Sequence, residues 1–137
     1  MKKWLSVILS IVMLSTVLGS GASFAFAATA ATSGSCGDNI KYNIDTGTGV
    51  LTLTGSGATN NYSNMNVNFG SSIKRCPWYN SRDSIKRVVI SEGVTVLGNY
   101  LFFEMTSVQT VILPSTVTGV NRYAFAGCTA RSTVNLQ

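Results

Sequence analysis

Histidine is absent from the 137 residues. Its absence excludes Ser-His-Asp and Cys-His catalytic constellations and removes the commonest metal ligand. Cysteine is sparse: Cys36, Cys76 and Cys128 are far apart, with no Cys-x-x-Cys pair to suggest zinc or redox chemistry. Charge is scarce too, at 11% of residues, of which only five are acidic. Asp38, Asp45, Asp83, Glu92 and Glu104 are scattered, most of them in turn-like contexts where solvated carboxylates are expected, rather than as a glycosidase-like pair. Gly47-Thr48-Gly49 and Gly55-Ser56-Gly57 lack the Lys-Ser/Thr pair and helix start of a phosphate loop, so they read as turns. No enzymatic activity, cofactor or metal is expected.

What is present is Gly, Ser, Thr and Asn among many apolar residues, 45% of the chain. That balance favours strands joined by polar turns over a charged helical bundle. The formal charge of +5 overstates the basicity, because Lys2 and Lys3 sit in an N-terminal leader. Without them eight basic residues face five acids, a net of +3. The basic residues are dispersed apart from Lys74-Arg75 and Lys86-Arg87, and nucleic acid is not an expected partner.

The leader has three parts. Met1-Lys2-Lys3 is a short positive region, Trp4 to Leu18 is an apolar run broken only by Ser and Thr, and Ala25-Phe26-Ala27 places small residues at −3 and −1. This is a secretory signal peptide over residues 1–27, with cleavage after Ala27 or, alternatively, Ala30. A membrane anchor needs about 20 apolar residues, more than this run supplies. Cys36 lies too far downstream, behind Ser33 instead of an aliphatic residue, to be a lipidated cysteine. No second apolar stretch follows, so membrane contact is expected only through export, and the mature protein is expected to be secreted or at the cell surface.

A fixed period organises the C-terminal part. Ser84 to Ile90 overlays Ser107 to Leu113 at an offset of 23 residues, and seven of those 23 positions are identical between the two copies. Val94-Thr95 meets Val117-Thr118, Tyr100 meets Tyr123, and Phe102 meets Phe125. A third copy begins at Ala130, with Val134 and Leu136 on the Val88 and Ile90 positions. Within each copy Val88 and Ile90 alternate with Arg87, Val89 and Ser91, the period of a strand with one buried face. Val94 with Leu97, and Val117 with Val120, predict a second inward-pointing segment. Tyr100-Leu101-Phe102 and Tyr123-Ala124-Phe125 predict a short helical or 3-10 turn. One such unit cannot bury its apolar stripe alone, so neighbours must stack.

The run from Ile112 through Pro114, Val117, Val120, Tyr123, Ala124 and Phe125 to Gly127-Cys128 resembles the BspA-type leucine-rich repeat. The copy from Ile90 to Met105 is similar, with Leu101, Glu104 and Met105 where Ala, Gly and Cys are usual. Ser33 to Gly37, Gly49 to Gly57 and Pro77-Trp78-Tyr79 resemble what precedes such repeats. The resemblance implies a mainly β leucine-rich-repeat solenoid of two full 23-residue repeats plus a partial third. It also implies adhesion to extracellular or cell-surface proteins, and at Cys128 a small buried side chain.

The expected organisation is a signal peptide over 1–27, a β-rich cap with an Asn-rich loop over 28–83, and repeats over 84–137. Ile40, Tyr42 and Ile44, a turn at 45–49, then Leu51 and Leu53, predict a β-hairpin that covers the first repeat together with Trp78 and Tyr79. Thr59 to Ser72 reads as a surface loop, and Asn61-Tyr62-Ser63 fits a glycosylation acceptor on paper. Export permits a Cys36–Cys76 disulfide, against the alternative of three buried free thiols.

Partners are expected on the outward positions of the stacked strands: Arg87, Val89 and Ser91, then Thr110, Ile112 and Pro114, then Thr133 and Asn135. Val89 and Ile112 should lie side by side. Two other readings compete: a carbohydrate-binding module using Trp78, Tyr79 and Tyr62 as a sugar-stacking platform, and an inert spacer of a larger surface protein. The third copy ends just after its strand, and Arg131 stands where the repeat has an apolar residue. This predicts an open C-terminal edge, hence a fragment of a longer protein or self-association through that edge.

Overall fold

The computed structural model of the chain describes residues 31–64 and 74–128 and the backbone of 133–136. The expected leader over 1–27, most of the Asn-rich segment and Arg131 lie outside the described residues.

Alternation builds the first strands. Ile40–Asp45 (β2, after Ser33–Ser35 as β1) buries Ile40, Tyr42 and Ile44 and exposes the residues between them. Val50–Gly55 (β3) buries Leu51 and Leu53. The two pair antiparallel, Tyr42 opposite Leu53 and Ile44 opposite Leu51, which is the hairpin read from the sequence. Asp45 fastens its turn: Oδ1 accepts from the backbone N–H of Gly47 at 2.9 Å and of Thr48 at 3.3 Å. The strand β1 pairs antiparallel with the other side of β2.

The remaining strands are Gly57–Ala58 (β4), Arg87–Ile90 (β5), Val94–Leu97 (β6), Thr110–Leu113 (β7), Gly119–Val120 (β8) and Thr133–Leu136 (β9). They form a six-stranded sheet in the order β1-β2-β3-β5-β7-β9 and a three-stranded sheet in the order β4-β6-β8. The strands from β3 onward pair with one another in parallel, and an isolated antiparallel bridge joins Gly37 to Thr59. Val88 sits opposite Val111, and Val111 opposite Val134, as a 23-residue period requires.

The parallel stack begins earlier than the period suggests. Leu51 pairs with Val88 and Gly57 with Val94, both 37 residues apart, against 23 between Val88 and Val111. The second hairpin strand and β4 therefore trace a first rung whose return path holds 14 extra residues. Part of the segment read as a surface loop belongs to this rung. Thr59 is buried, and its Oγ1 accepts a 2.7 Å bond from the Gly98 N–H. Asn61 Oδ1 accepts from the Asn99 N–H at 2.9 Å and from Asn121 Nδ2 at 3.3 Å, so the amide oxygen of the Asn61-Tyr62-Ser63 motif is engaged across rungs.

A third set of rung-to-rung bonds runs through the far side, where Phe102 N–H donates to Ala124 O at 2.7 Å and Glu104 N–H to Ala126 O at 2.8 Å. The segments from Tyr100 and Tyr123, expected as a short helical or 3-10 turn, are turns with bonds of the 3-10 kind, such as Ala126 N–H to Tyr123 O at 3.1 Å, and do not extend into helices. Tyr100 (φ 53°) and Tyr123 (φ 59°) are left-handed, which breaks a right-handed helix at its first residue. The one 3-10 helix described is Tyr79–Ser84, in the connection leading into β5.

Apolar side chains from the described rungs share one core. Leu51, Leu53, Val88, Ile90, Val94, Leu97 and Val111 are buried, each contributing roughly 1.5–3 kcal/mol through removal from water. An aromatic column crosses it, with Trp78 stacked on Phe102 at 6.0 Å and Phe102 on Phe125 at 5.0 Å. Val120, expected to point inward like Leu97, is 53% exposed. It pairs with Leu97 on the edge strand β8, so only one side of it is covered.

Candidate functional site

Strand alternation sends every second residue of the six-stranded sheet away from the core, and parallel registry lines these residues into rows about 4.8 Å apart. One row runs Asn43, Thr52, Val89, Ile112, Asn135. The next runs Asp45, Val50, Arg87, Thr110, Thr133. The structure thus brings Val89 and Ile112 side by side, with Arg87 two residues from Val89 on the same strand. Arg87 is exposed, while Val89, Ser91, Thr110 and Ile112 are half-buried. Thr133 and Asn135 stand in register with Thr110 and Ile112 on β9, and their side chains lie outside the description. Pro114, expected on the same face, is buried instead, immediately after β7 where the chain leaves the sheet.

Four contributors escaped the sequence reading: Asn43 and Asp45 on β2, and the two on β3 that join them to the parallel strands. Val50 and Thr52 carry both rows onto β3. Their signal was there, since Val50 to Leu53 has the same in–out alternation as Arg87 to Ile90. The 37-residue spacing hid it from a search for a constant period.

The face is short of charge. Arg87 is the cation of its row and Asp45 its carboxylate. Asp45 is turned to its own hairpin: bonds from the Thr48 hydroxyl, then from the Gly47 and Thr48 backbone, hold its carboxyl below the usual carboxylate range. The other outward cation of the hairpin strands, Lys41, sits opposite Thr54.

The sugar-stacking platform does not form. Trp78 is 0% exposed and Tyr62 8%, with Trp78 meeting Tyr42 edge-on at 5.2 Å and Tyr62 at 6.4 Å. Tyr79 lies beneath two guanidinium groups, Arg75 at 4.1 Å and Arg82 at 4.0 Å from its ring centre. These rings serve as core and turn packing because the connection into β5 folds across the rung ends.

The cysteines are free thiols, with Cys36 and Cys76 buried and Cys128 half-buried. Burial pushes the Cys36 and Cys76 thiols up to about 12, which suppresses the reactive thiolate. Burial raises Cys128 as well, and its Sγ donates to Phe102 O at 3.1 Å. Among the described residues no three Cys, Asp or Glu side chains converge as a metal site. No described helix is long and apolar enough to cross a membrane.

Residues 71–137 match a family model described as BspA type leucine rich repeat region (6 copies). Among curated proteins, none matches the chain. The structure is similar to a crystal structure of a leucine-rich repeat protein from Eubacterium ventriosum ATCC 27560, with a TM-score of 0.62 and 28% sequence identity. The match covers 78% of this chain and 27% of that one, so the chain spans about a quarter of that protein's length.

Proposed function

We propose that the chain, whose residues 71–137 match the BspA-type leucine-rich-repeat model, is an exported, non-catalytic protein-interaction module that docks partners on the outer face of its six-stranded sheet. The rungs form a short solenoid, and the partners are extracellular or cell-surface proteins, in an adhesive role. A fold does not name a ligand, so the reading rests on the face itself. Its single strongest support is the Val89–Ile112 pair, in register on adjacent parallel strands and half-exposed beside Arg87. Adjacent aliphatic side chains rimmed by polar groups are the usual composition of an interface centre. Export is supported by the basic start, apolar run and Ala25-Phe26-Ala27 of the leader. The missing histidine and the separate engagements of Asp45, Glu92 and Glu104 support a non-catalytic role.

The test is capture of extracellular-matrix and cell-surface proteins by the exported chain, compared with the Val89→Asp, Ile112→Asp double variant. Capture should be lost while the circular dichroism spectrum stays that of the parent. Undiminished capture by a folded double variant would place the docking surface elsewhere.

A further inference from the structure

On the reading that this face is the docking surface, Arg87 decides what it takes. The guanidinium is exposed, and among the described residues it has no hydrogen-bond, ion-pair or ring partner. Its flanking neighbours are Val50 and Thr110 across the sheet and Val89 along the strand, none of which carries charge. Asp45, two strands away in the same row, is committed to its own turn at 2.9 Å from the Gly47 nitrogen. Arg87 is therefore an exposed, unneutralised cation beside aliphatic and hydroxyl side chains, free to give a carboxylate a charge-assisted, two-pronged bond.

The spacing narrows the partner further. An extended chain advances about 6.6 Å every two residues, which is also the separation of Arg87 from Val89 along β5. We infer that the face selects an extended acidic peptide segment, with one carboxylate over Arg87 and an aliphatic side chain two residues along over Val89 and Ile112. The β-branched rows supply a stiff floor with few rotamers to freeze, which keeps the entropic cost of docking low. No outward position of β3, β5 or β7 is aromatic, so the anchors are the single guanidinium and the aliphatic pair.

A random-peptide display library panned on the exported chain tests this directly. Enrichment of Asp or Glu two residues from Val, Ile or Leu is expected. A synthetic copy of a selected peptide should lose about tenfold in affinity on Arg87→Glu and less on Arg87→Lys. Changing its acidic residue to the amide should cost a similar factor and leave Arg87→Glu without further effect. Selected peptides that lack acidic residues, or that bind Arg87→Glu as tightly, would overturn the acidic-segment inference while leaving the docking face intact. Binding of poly-glutamate as tight as that of the selected peptides would overturn it too, since plain charge attraction needs no aliphatic partner. Peptide binding indifferent to Val89→Asp with Ile112→Asp, or no selected peptides at all, would overturn both this inference and the docking-face reading.

Discussion

The Tyr79 hydroxyl donates a 2.7 Å hydrogen bond to Glu104 Oε2. It thereby ties the 3-10 helix before β5 to the far-side turn of the rung that β5 begins. Glu104 makes this bond from a left-handed backbone conformation, φ 55°, which the next rung fills with Gly127 at φ 77°. The two positions are 23 residues apart, so the repeat asks for glycine at both. A side chain held there costs about 1 kcal/mol, and the bond to Tyr79 offsets that cost. Its presence also raises the Tyr79 hydroxyl above the ordinary tyrosine range, chiefly through the Glu104 hydrogen bond.

Tyr79→Phe should lower stability by roughly 0.5–1.5 kcal/mol, the net worth of one such bond. Glu104→Gly relieves backbone strain and loses the bond, so its net change should lie within about 1 kcal/mol of zero. In the Glu104→Gly background, Tyr79→Phe should cost nothing more. A double-mutant cycle from urea unfolding measures the coupling, and additive losses would show that the contact contributes nothing to stability.

Alkaline pH should destabilise the fold before it affects most small β proteins. Cys36 and Cys76 have folded values pushed up to about 12 by burial, above the 9.0 of a solvated thiol in the unfolded chain. Between those limits the unfolded state has released protons that the folded state retains, so stability declines as pH rises. The contribution is complete below pH 9 and disappears toward pH 12. Burial shifts Tyr62 in the same direction. Melting temperature measured from pH 8 to pH 11 under reducing conditions should fall, less steeply in a Cys36→Ala, Cys76→Ala variant. A flat profile in the parent would show that the thiols are hydrated.

Gly98→Ala should be among the most damaging single-methyl changes in the chain. A Cβ at residue 98 would run into the backbone carbonyl of Asn60, on the neighbouring rung. The Gly98 N–H also donates to buried Thr59 Oγ1 at 2.7 Å, so the rungs cannot part without losing that bond. A loss of at least about 2 kcal/mol is expected, combining overpacking with a broken buried bond. Thermal unfolding of Gly98→Ala beside Thr59→Ala checks it. Near-parental stability in both would mean that the first rung is not packed against the second.

Much of the fold was legible because a parallel ladder transmits its period into the chain. Val88, Val111 and Val134 had to occupy equivalent places once 23 residues separated them, and alternation around them assigned Arg87, Val89, Thr110 and Ile112 to the outer face. The hairpin was legible for the same reason, from Ile40, Tyr42 and Ile44 against Leu51 and Leu53. Periodicity is local information, and a strand with one dry face must alternate.

What period and alternation could not settle was which segments far apart in the chain lie against each other. Leu51 joins the parallel stack through a 37-residue step, and spacing alone gives no warning of a rung with an insertion. Nor does an aromatic residue in a connection announce whether it faces water. Trp78 and Tyr62 are buried against each other and against Tyr42 and Phe102, which come from other parts of the chain, and Pro114 is buried where the chain leaves β7. Burial depends on what covers a side chain, and only the assembled tertiary structure supplies the cover.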